Sequence, residues 1–546
     1  MTFLRALFFM SIRQKICAFA ITIPIIILVL SGCSRALRTQ EPASQNDLGA
    51  QIGSLAEVPF PAYIAVEGYG LVGGLRGAGS SDCPPEIRVY LSQYILSKSP
   101  QLDAEALINS SDTAVVLVQG MMPGGICKDE HFDLRVSTVP GTQTTSLQGG
   151  WLYGAELKAA GRLGMGLKVL AYAEGPVFFD TLEAPVKEKT SGYILGGAKA
   201  LDEYRLSLVL DKPDYKLTSE ISYRLNERLG PGTAKAVLPG QIQLQVPPKY
   251  KSRKHRLVSL IKSMYLAENP ELTKRRVNRF IRSLAALEQK QESEIILEAI
   301  GTKSLEKLSA LLNSSEEQVR LRAARCTLNL GSDKGLDILR TIALDKNSLY
   351  RIEALKAITT AGSRNDASAI SRMLLRDEDF SIRLAAYEQL RRLDDIVITQ
   401  QPIGRSFYLE QIAQTTQKAI FVARSGQPRI ALFGGPIYCK DNIFVQSTDG
   451  DITINASSDQ QHVSIMRKHP TNPEARPIQL KSSFALSDII QILCEEPVKK
   501  AEQQHRGLNI SYVELIGILK QMSDKGALQA EFRAGPLPKI GLNMKK

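Results

Sequence analysis

At 546 residues, with 44% apolar and 23% charged side chains, the chain has the balance of a globular protein with real cores, and about 150 residues per domain suggests three or four domains. Its formal net charge of +12 suits polyanionic surroundings such as lipid headgroups or cell-wall polymer, and does not by itself imply nucleic acid. The five histidines, His131, His255, His462, His469 and His505, are scattered outside any ligand spacing, and no C-x-x-C pair exists, which argues against catalytic zinc, a zinc knuckle or a thioredoxin-type site.

The first 32 residues carry Arg5, Arg13 and Lys15, no acid, and the apolar run Ile16–Leu30. A basic start, an apolar stretch and small residues at the end read as a secretory signal. The closing Leu30-Ser31-Gly32-Cys33 resembles the lipobox of bacterial lipoproteins. That resemblance implies cleavage before Cys33 and acyl chains on it, with residues 1–32 removed and the charge excess falling by three to nine. The rival is an uncleaved transmembrane anchor, for which the run falls short of the ~20 residues a spanning helix needs. Ser34 after the lipid cysteine favours the outer membrane by analogy with lipoprotein sorting. Residues 33–60 are polar and irregular and read as a flexible linker.

With Cys17 removed and Cys33 acylated, Cys83, Cys127, Cys326, Cys439 and Cys494 remain. In an oxidising compartment Cys83–Cys127 and Cys439–Cys494 are candidate disulfides within separate domains; the alternative is five buried thiols.

From 61 to 266 the pattern is α+β. Strands are expected at Tyr63–Val66, Thr113–Val118, Phe132–Val136, Leu167–Ala173, Leu206–Leu210 and Ile242–Val246, between Gly and Pro clusters. Helices are expected at Glu86–Lys98 and at Leu217–Leu229, the second ended by Gly230-Pro231. Gly68-Tyr69-Gly70-Leu71-Val72-Gly73 fits G-x-G-x-x-G, but Gly74, Gly77, Gly79, Pro84 and Pro85 follow where a dinucleotide site needs a helix. The segment reads instead as a glycine-rich turn whose backbone packs closely or takes positive φ. The basic run Lys249, Lys251, Arg253, Lys254, His255 and Arg256 reads as a solvated helix start, with contact to anionic polymer or headgroups as its functional alternative.

From 267 to 400 helical periodicity takes over and a hexapeptide repeats. Val319-Arg320-Leu321-Arg322-Ala323-Ala324 returns as Tyr350-Arg351-Ile352-Glu353-Ala354-Leu355 and as Ile382-Arg383-Leu384-Ala385-Ala386-Tyr387, at spacings of 31 and 32 residues. This resembles short bacterial HEAT-type repeats. Val319, Ala323, Ile352, Ala354, Leu384 and Ala385 are expected to be buried on the second helices of stacked pairs. Ser315-Glu316, Asp345 and Asp377 are expected to cap those helices, and the arginines to bond neighbouring turns. Because a repeat unit buries its core against its own neighbours, the segment is expected to be detachable, with its ends close in space.

From 401 to 546 strands return at Ala419–Ala423, Ile430–Phe433, Ile443–Gln446, Ile452–Asn455 and Val463–Met466, with a hairpin turn at Thr448-Asp449-Gly450-Asp451. Helices Leu486–Cys494 and Ser511–Lys525 and a strand Leu528–Phe532 follow. Nowhere do an acid, a base, a nucleophile and a metal set come together, so no catalytic residue, metal or cofactor is assigned and an enzyme is not expected.

The two mixed blocks resemble the bacterial flagellar P-ring protein family. Glu67-Gly68-Tyr69-Gly70-Leu71-Val72-Gly73-Gly74-Leu75-Arg76-Gly77-Ala78-Gly79-Ser80 stands for its V-G-Y-G-L-V-x-G-L-x-G-T-G-D motif. Ala114–Val118, Met122-Pro123 and Phe132-Asp133-Leu134-Arg135-Val136-Ser137 follow in family order. So do Ser146-Leu147-Gln148-Gly149-Gly150-Trp151-Leu152, Ala173-Glu174-Gly175-Pro176, Pro213-Asp214-Tyr215 and Val246-Pro247. The likeness resumes with Ala419–Phe433 and ends on Tyr512-Val513-Glu514-Leu515-Ile516-Gly517-Ile518-Leu519-Lys520 and Gly526-Ala527-Leu528-Gln529-Ala530-Glu531.

The implied fold is α+β P-ring-like domains interrupted by an all-α HEAT-like repeat insertion. The implied function is a non-enzymatic, homo-oligomeric ring of the flagellar basal body in the periplasm, serving as the rod bushing. Its partners would be itself, flagellar rod and L-ring proteins and peptidoglycan, with the membrane reached through lipid on Cys33 and no nucleic acid. The chain departs from the family in its lipobox, its repeat insert, a shortened segment before Gly68, and Arg424-Ser425-Gly426-Gln427-Pro428-Arg429 in place of an N-E-R-T-G turn. These leave room for a rival reading, a non-flagellar envelope lipoprotein adaptor that binds proteins through its repeats.

Overall fold

The computed structural model describes residues 48–540 except 162–166, 183–187, 287, 289, 458–460, 469–475 and 497–506. The signal segment, Cys33, residues 34–47, His469 and His505 lie outside the described residues; residues 48–60, expected as part of a flexible linker, are instead folded, with Ile52, Ala56 and Val58 buried in an apolar core.

After a two-residue strand β1 (Ala56–Glu57), six strands close into an antiparallel barrel. They are β2 (Tyr63–Gly73), β3 (Thr113–Pro123), β4 (His131–Thr138), β5 (Trp151–Ala159), β6 (Ala171–Pro176) and β7 (Ser191–Ala200), in the order β2-β3-β4-β7-β6-β5. Alternation fills the inside with Phe132, Leu134 and Val136 of β4 and Ala114, Val116 and Val118 of β3. Strand β3 is apolar on its outer face as well. Its Val115 packs with Leu71 under two outside helices, α1 (Pro85–Lys98) and α2 (Ala104–Ile108), through Leu91 and Ile108.

The second body is a four-stranded antiparallel sheet, β1-β8-β10-β9, from β8 (Leu206–Leu210), β9 (Ala234–Leu238) and β10 (Gln241–Leu244). One face is covered by α3 (Tyr215–Leu229) and α4 (Lys254–Ser263) through Ile221, Leu225, Leu257 and Ile261. Asp214 caps α3 by accepting from the amides of Lys216 and Leu217, and Gly230 at φ 110° ends it.

Eight helices follow: α5 (Pro270–Ala285), α6 (Lys290–Ile300), α7 (Leu305–Leu311), α8 (Glu317–Asn329), α9 (Leu336–Leu344), α10 (Arg351–Ala361), α11 (Arg364–Leu374) and α12 (Phe380–Arg392). The hexapeptides lie on α8, α10 and α12 as expected, but the buried register differs in part. The equivalent buried pairs are Ala323-Ala324, Ala354-Leu355 and Ala386-Tyr387, whereas Ile352, Leu384 and Ala385 are only half-buried. Ile352 and Leu384, the equivalents of the buried Leu321, are both half-buried, and Ala386 rather than Ala385 stands at the fifth position of the hexapeptide with Ala323 and Ala354.

The caps differ too. Asp379 caps α12 through the Ser381 amide, while Glu316 and Tyr350 make no side-chain cap. Asp377 binds Arg351 instead. The repeated arginine closes the loop before its own helix: Arg320 donates to Ser314 O and Ser315 O at 2.8 Å, and Arg383 to Asp377 O at 2.7 Å and Glu378 O at 2.9 Å. Arg351 reaches Ala343 O at 3.1 Å.

The last body has two sheets. One is mixed, β11-β12-β14-β13-β19, from β11 (Ile398–Ile403), β12 (Phe407–Ile412), β13 (Ala419–Val422), β14 (Arg429–Phe433) and β19 (Glu531–Ala534). Its β12–β14 and β13–β19 pairs are parallel. The other is an antiparallel meander of β15 (Ile443–Gln446), β16 (Ile452–Ala456), β17 (Val463–Arg467) and β18 (Ile478–Ser482), with Gly450 at φ 75° in the expected first hairpin. Helices α13 (Leu486–Cys494) and α14 (Tyr512–Asp524) join both sheets in one core, α14 beginning with a Ser511–Glu514 capping box.

Strands β1, β5, β7, β9, β11, β12 and β18 had no expectation. The run at Leu167–Ala173 becomes a strand only from Ala171, and the last strand is displaced to Glu531–Ala534.

Candidate functional site

The residues singled out by sequence gather at four seams rather than in a catalytic cleft. The first closes the barrel. Gly68 to Gly73 form no turn; they are continuous with β2. Their lack of a side chain lets β5 close on β2. A Cβ on Gly68 would sit 2.2 Å from Glu156 O, one on Gly70 2.7 Å from Leu152 Cδ1, and one on Gly73 2.4 Å from the Tyr153 ring. The Ser146–Leu152 motif supplies the other half. Gly149 turns at φ 77°, a Cβ on Gly150 would meet Val72 at 2.4 Å, and Leu152 and Trp151 pair with Val72 and Gly73. The two glycine motifs therefore face each other across one strand pair. The close-packing half of the sequence expectation holds, and the turn does not.

The basic run forms the second seam, which neither sequence reading anticipated. Lys254 is fully buried and donates to Ile126 O of the barrel at 3.1 Å and to Glu203 at 3.2 Å. Lys249 and Arg253 bind Asn329 at the end of α8, and Arg256 binds Glu294 and Glu298 of α6. These contacts join the barrel, the second body and the repeats. Glu294 is the hub: Arg256, Arg322 and Arg325 all pair with it, and Arg325 passes on to Glu353 of α10. Burial works to raise the Glu294 pKa, yet the hydrogen bonds and charges of Arg325 and Arg256 hold it below the ordinary carboxylate value. A signal for this seam existed: Glu294 and Glu298 stand one turn apart on the apolar helix Lys290–Ile300, a place where unpaired acids are costly.

The third seam joins α12 to the mixed sheet. Tyr387 and Arg391 both bind the buried Glu410, Arg429 reaches Tyr387 and Glu388, and Phe380 packs on Phe421 and edge-on to Phe433. The repeats are thus stitched at one end to the second body, where Ala299 enters its core, and at the other to the last body through Tyr387, Arg391 and Phe380. The expected detachable insert is not what the packing gives.

The fourth seam joins barrel and last body directly. Asp133 accepts from Gly196 N at 2.7 Å and from Gly426 N at 2.8 Å, and Gly196, at φ 58°, lies so close that its Cβ would meet Gly426 at 3.1 Å. Burial pushes the Asp133 carboxyl up. Arg424 donates to Asp180 at 2.9 Å and Gly535 O at 2.7 Å, and Phe178 packs on Tyr512, whose hydroxyl donates toward Ala423 O and Arg429 O, each at 2.8 Å.

The five described cysteines are free thiols, and neither expected disulfide is made. Cys83 packs against the cluster that holds Leu91 of α1, whereas Cys127 has Lys251 O at 3.9 Å, at the second seam. Cys439 and Cys494 share a core but are held apart in it: the Cys439 backbone is tied to Phe484 and Leu528, and Cys494 ends α13. Burial pushes the Cys439 thiol up to about 12. Among the described residues no group of His, Cys, Asp and Glu side chains is arranged to hold a metal, and no helix is long and apolar enough to cross a membrane.

Two segments of the chain match known protein families. Residues 51–278 match the family described as flagellar P-ring protein, and residues 305–393 match HEAT repeats. The flagellar P-ring protein of Anaeromyxobacter dehalogenans strain 2CP-C is 30% identical over 238 residues, covering 40% of this chain and 60% of that protein. Flagellar P-ring protein 1 of Hahella chejuensis is 30% identical over 196 residues, 33% of this chain and 50% of its own length. That of Aquifex aeolicus is 28% identical over 216 residues, 37% of this chain and 58% of its own. The chain thus spans between half and about 60% of the length of these curated relatives. The P-ring match begins ten residues before the expected start at 61, taking in β1, and runs into α5. In sequence the chain is a mixed α/β protein that matches the flagellar P-ring family over residues 51–278 and carries HEAT repeats over residues 305–393.

Proposed function

We propose that this protein is a non-enzymatic structural component of the bacterial flagellar basal body that assembles as the P ring around the rod, in the periplasm. The observation that carries the reading is the family match over the barrel and second body, whose most specific motifs meet at the β2–β5 seam and shape packing rather than chemistry. A head-to-tail interface between copies closes into a ring when its rotation permits, and such a ring acts as a bushing for a turning rod. We extend the reading to residues 401–540. Asp133 of a family motif meets Gly426 in the Arg424–Arg429 turn, and Phe178 meets Tyr512 of the terminal motif. These meetings support one P-ring-like fold split by the repeats.

In this reading Cys33 carries lipid and tethers the ring to the outer membrane, rod and L-ring proteins are its neighbours, peptidoglycan surrounds it, and the repeats add a face for a further partner. Cryo-EM of basal bodies purified from cells carrying a tagged copy tests the proposal. Tagged density forming a ring around the rod, with helical repeats radiating from it, is the expected result. A chain absent from basal bodies, in cells that swim without it, favours the envelope adaptor instead.

A further inference from the structure

Helix α5 presents a basic face that the seams do not use. From Leu272 to Leu287 the sequence holds Lys274, Arg275, Arg276, Arg279 and Arg282 and no acid. Thr273, Arg276, Val277, Phe280 and Leu284 face inward, while Lys274, Arg275 and Arg282 are exposed on the opposite side. The acids around the helix are partly spent: Glu268 binds Arg224 and Lys303. Glu271 lies in the first turn and Glu292 on α6.

The position of this face matters. Gln51 forms an antiparallel bridge with Tyr265, and Leu266 N donates to Ala50 O at 3.1 Å. The chain that leads back to Cys33 therefore leaves the folded body within a few residues of where α5 begins. Seventeen residues separate Cys33 from Ala50, a reach of up to about 60 Å when extended. A bilayer holding the lipid would lie within that reach of the arginine-rich helix.

We propose that the exposed face of α5, through Lys274, Arg275 and Arg282, is a second membrane-attachment element that docks on anionic phospholipid headgroups beside the lipid tether. A basic patch beside a lipid tether adds electrostatic attachment to anionic headgroups. The attraction is electrostatic, so it fades within a Debye length and with added salt. This inference rests on the lipid anchor of the proposed function for its setting, but not for its test.

The test uses residues 33–546, the chain that cleavage leaves, with Cys33→Ala, alone and combined with Lys274→Gln, Arg275→Gln and Arg282→Gln. Each is floated with vesicles of phosphatidylethanolamine, with or without phosphatidylglycerol. The Cys33→Ala protein is expected to float only with phosphatidylglycerol vesicles at low salt and to be released by high salt. The triple change is expected to weaken partitioning about a hundredfold, near fivefold per charge removed, with an unchanged melting curve. Equal flotation by both proteins, flotation without phosphatidylglycerol, or binding to peptidoglycan sacculi in place of vesicles overturns the proposal. In cells, a membrane-held wild-type chain whose Cys33 carries no acyl chain by mass spectrometry sinks the lipid-anchor reading alone. Cys33→Ala that is released, yet never floats, sinks the α5 proposal alone.

Discussion

Among the described residues from 63 to 200 the buried polar side chains are Ser80, Thr113 and Thr144, and none is charged. Between 267 and 400 the interior holds Arg276, Glu294, Glu298, Arg351, Arg383 and Asp395. The barrel closes on itself, so its backbone groups pair without leaving an edge and its inner face needs only apolar side chains. The helical stack is open at both ends, and each end docks on a different body. Buried ion pairs add little net stability, but they heavily penalise any docking that leaves a charge alone. The difference teaches that shape alone holds the barrel, while charge pairing sets the register of the repeats against their neighbours.

The largest test of that comparison removes the stack. Replacing about Asn269–Pro402 with a Gly/Ser linker leaves Arg256, Phe421 and Phe433 without their partners. Calorimetry is expected to show loss of the cooperative transition of the last body, and a single sharp melt would mean that the repeats are dispensable after all. Next comes the barrel seam. Gly68→Val drives a side chain into the Glu156 carbonyl and is expected to cost about 4 kcal/mol or more in urea unfolding, with no relief from salt or pH.

On the charged side, Glu294→Gln leaves three arginines competing for a neutral amide. A loss of about 3–5 kcal/mol is expected, centred on the repeats and readable as faster hydrogen exchange in α6 and α8. Acid should act in the same direction and more gently. Glu294, Asp377 and Asp395 all have folded pKa values below their unfolded ones. Their stabilisation is therefore complete above about pH 4.5 and lost as pH falls through the folded values. Asp133 is shifted the other way by burial, so protonating it relieves a cost. Exchange measured down the acid limb is expected to rise in the repeats while the Asp133–Gly426 seam stays protected. Loosening of that seam first would reverse the assignment.

The smallest effect is a control. Gly517 lies inside α14, and a Cβ there meets nothing within 4 Å. Gly517→Ala is expected to stabilise by about 0.5–1 kcal/mol, in contrast to the intolerance of Gly68.

How much of this was readable in advance follows from the range of the forces involved. Helices Leu486–Cys494 and Tyr512–Asp524 and the hexapeptide helices could be placed from the sequence because period, caps and breakers are local signals. The glycine motif of β2 looked like a turn because glycine usually marks one. Its strand conformation depends on β5, some eighty residues away, pressing against it. The basic run Lys249–Arg256 looked solvated because its acidic partners, Glu203, Glu294 and Glu298, come from elsewhere in the chain. Residues Ser191–Ala200, rich in glycine and alanine, carried no strand signal until the barrel closed around them.

The sequence by itself determined the periodic helices, the repeat, the family motifs and the order of the three mixed and helical blocks. Each is written in neighbouring residues, whose propensities act within a turn or two of chain. Only the tertiary structure decided which charges are buried, which glycines are indispensable, and that the repeats are welded at both ends. Those outcomes depend on surfaces that meet only after distant segments have folded, where desolvation turns an ordinary lysine or glutamate into part of a seam.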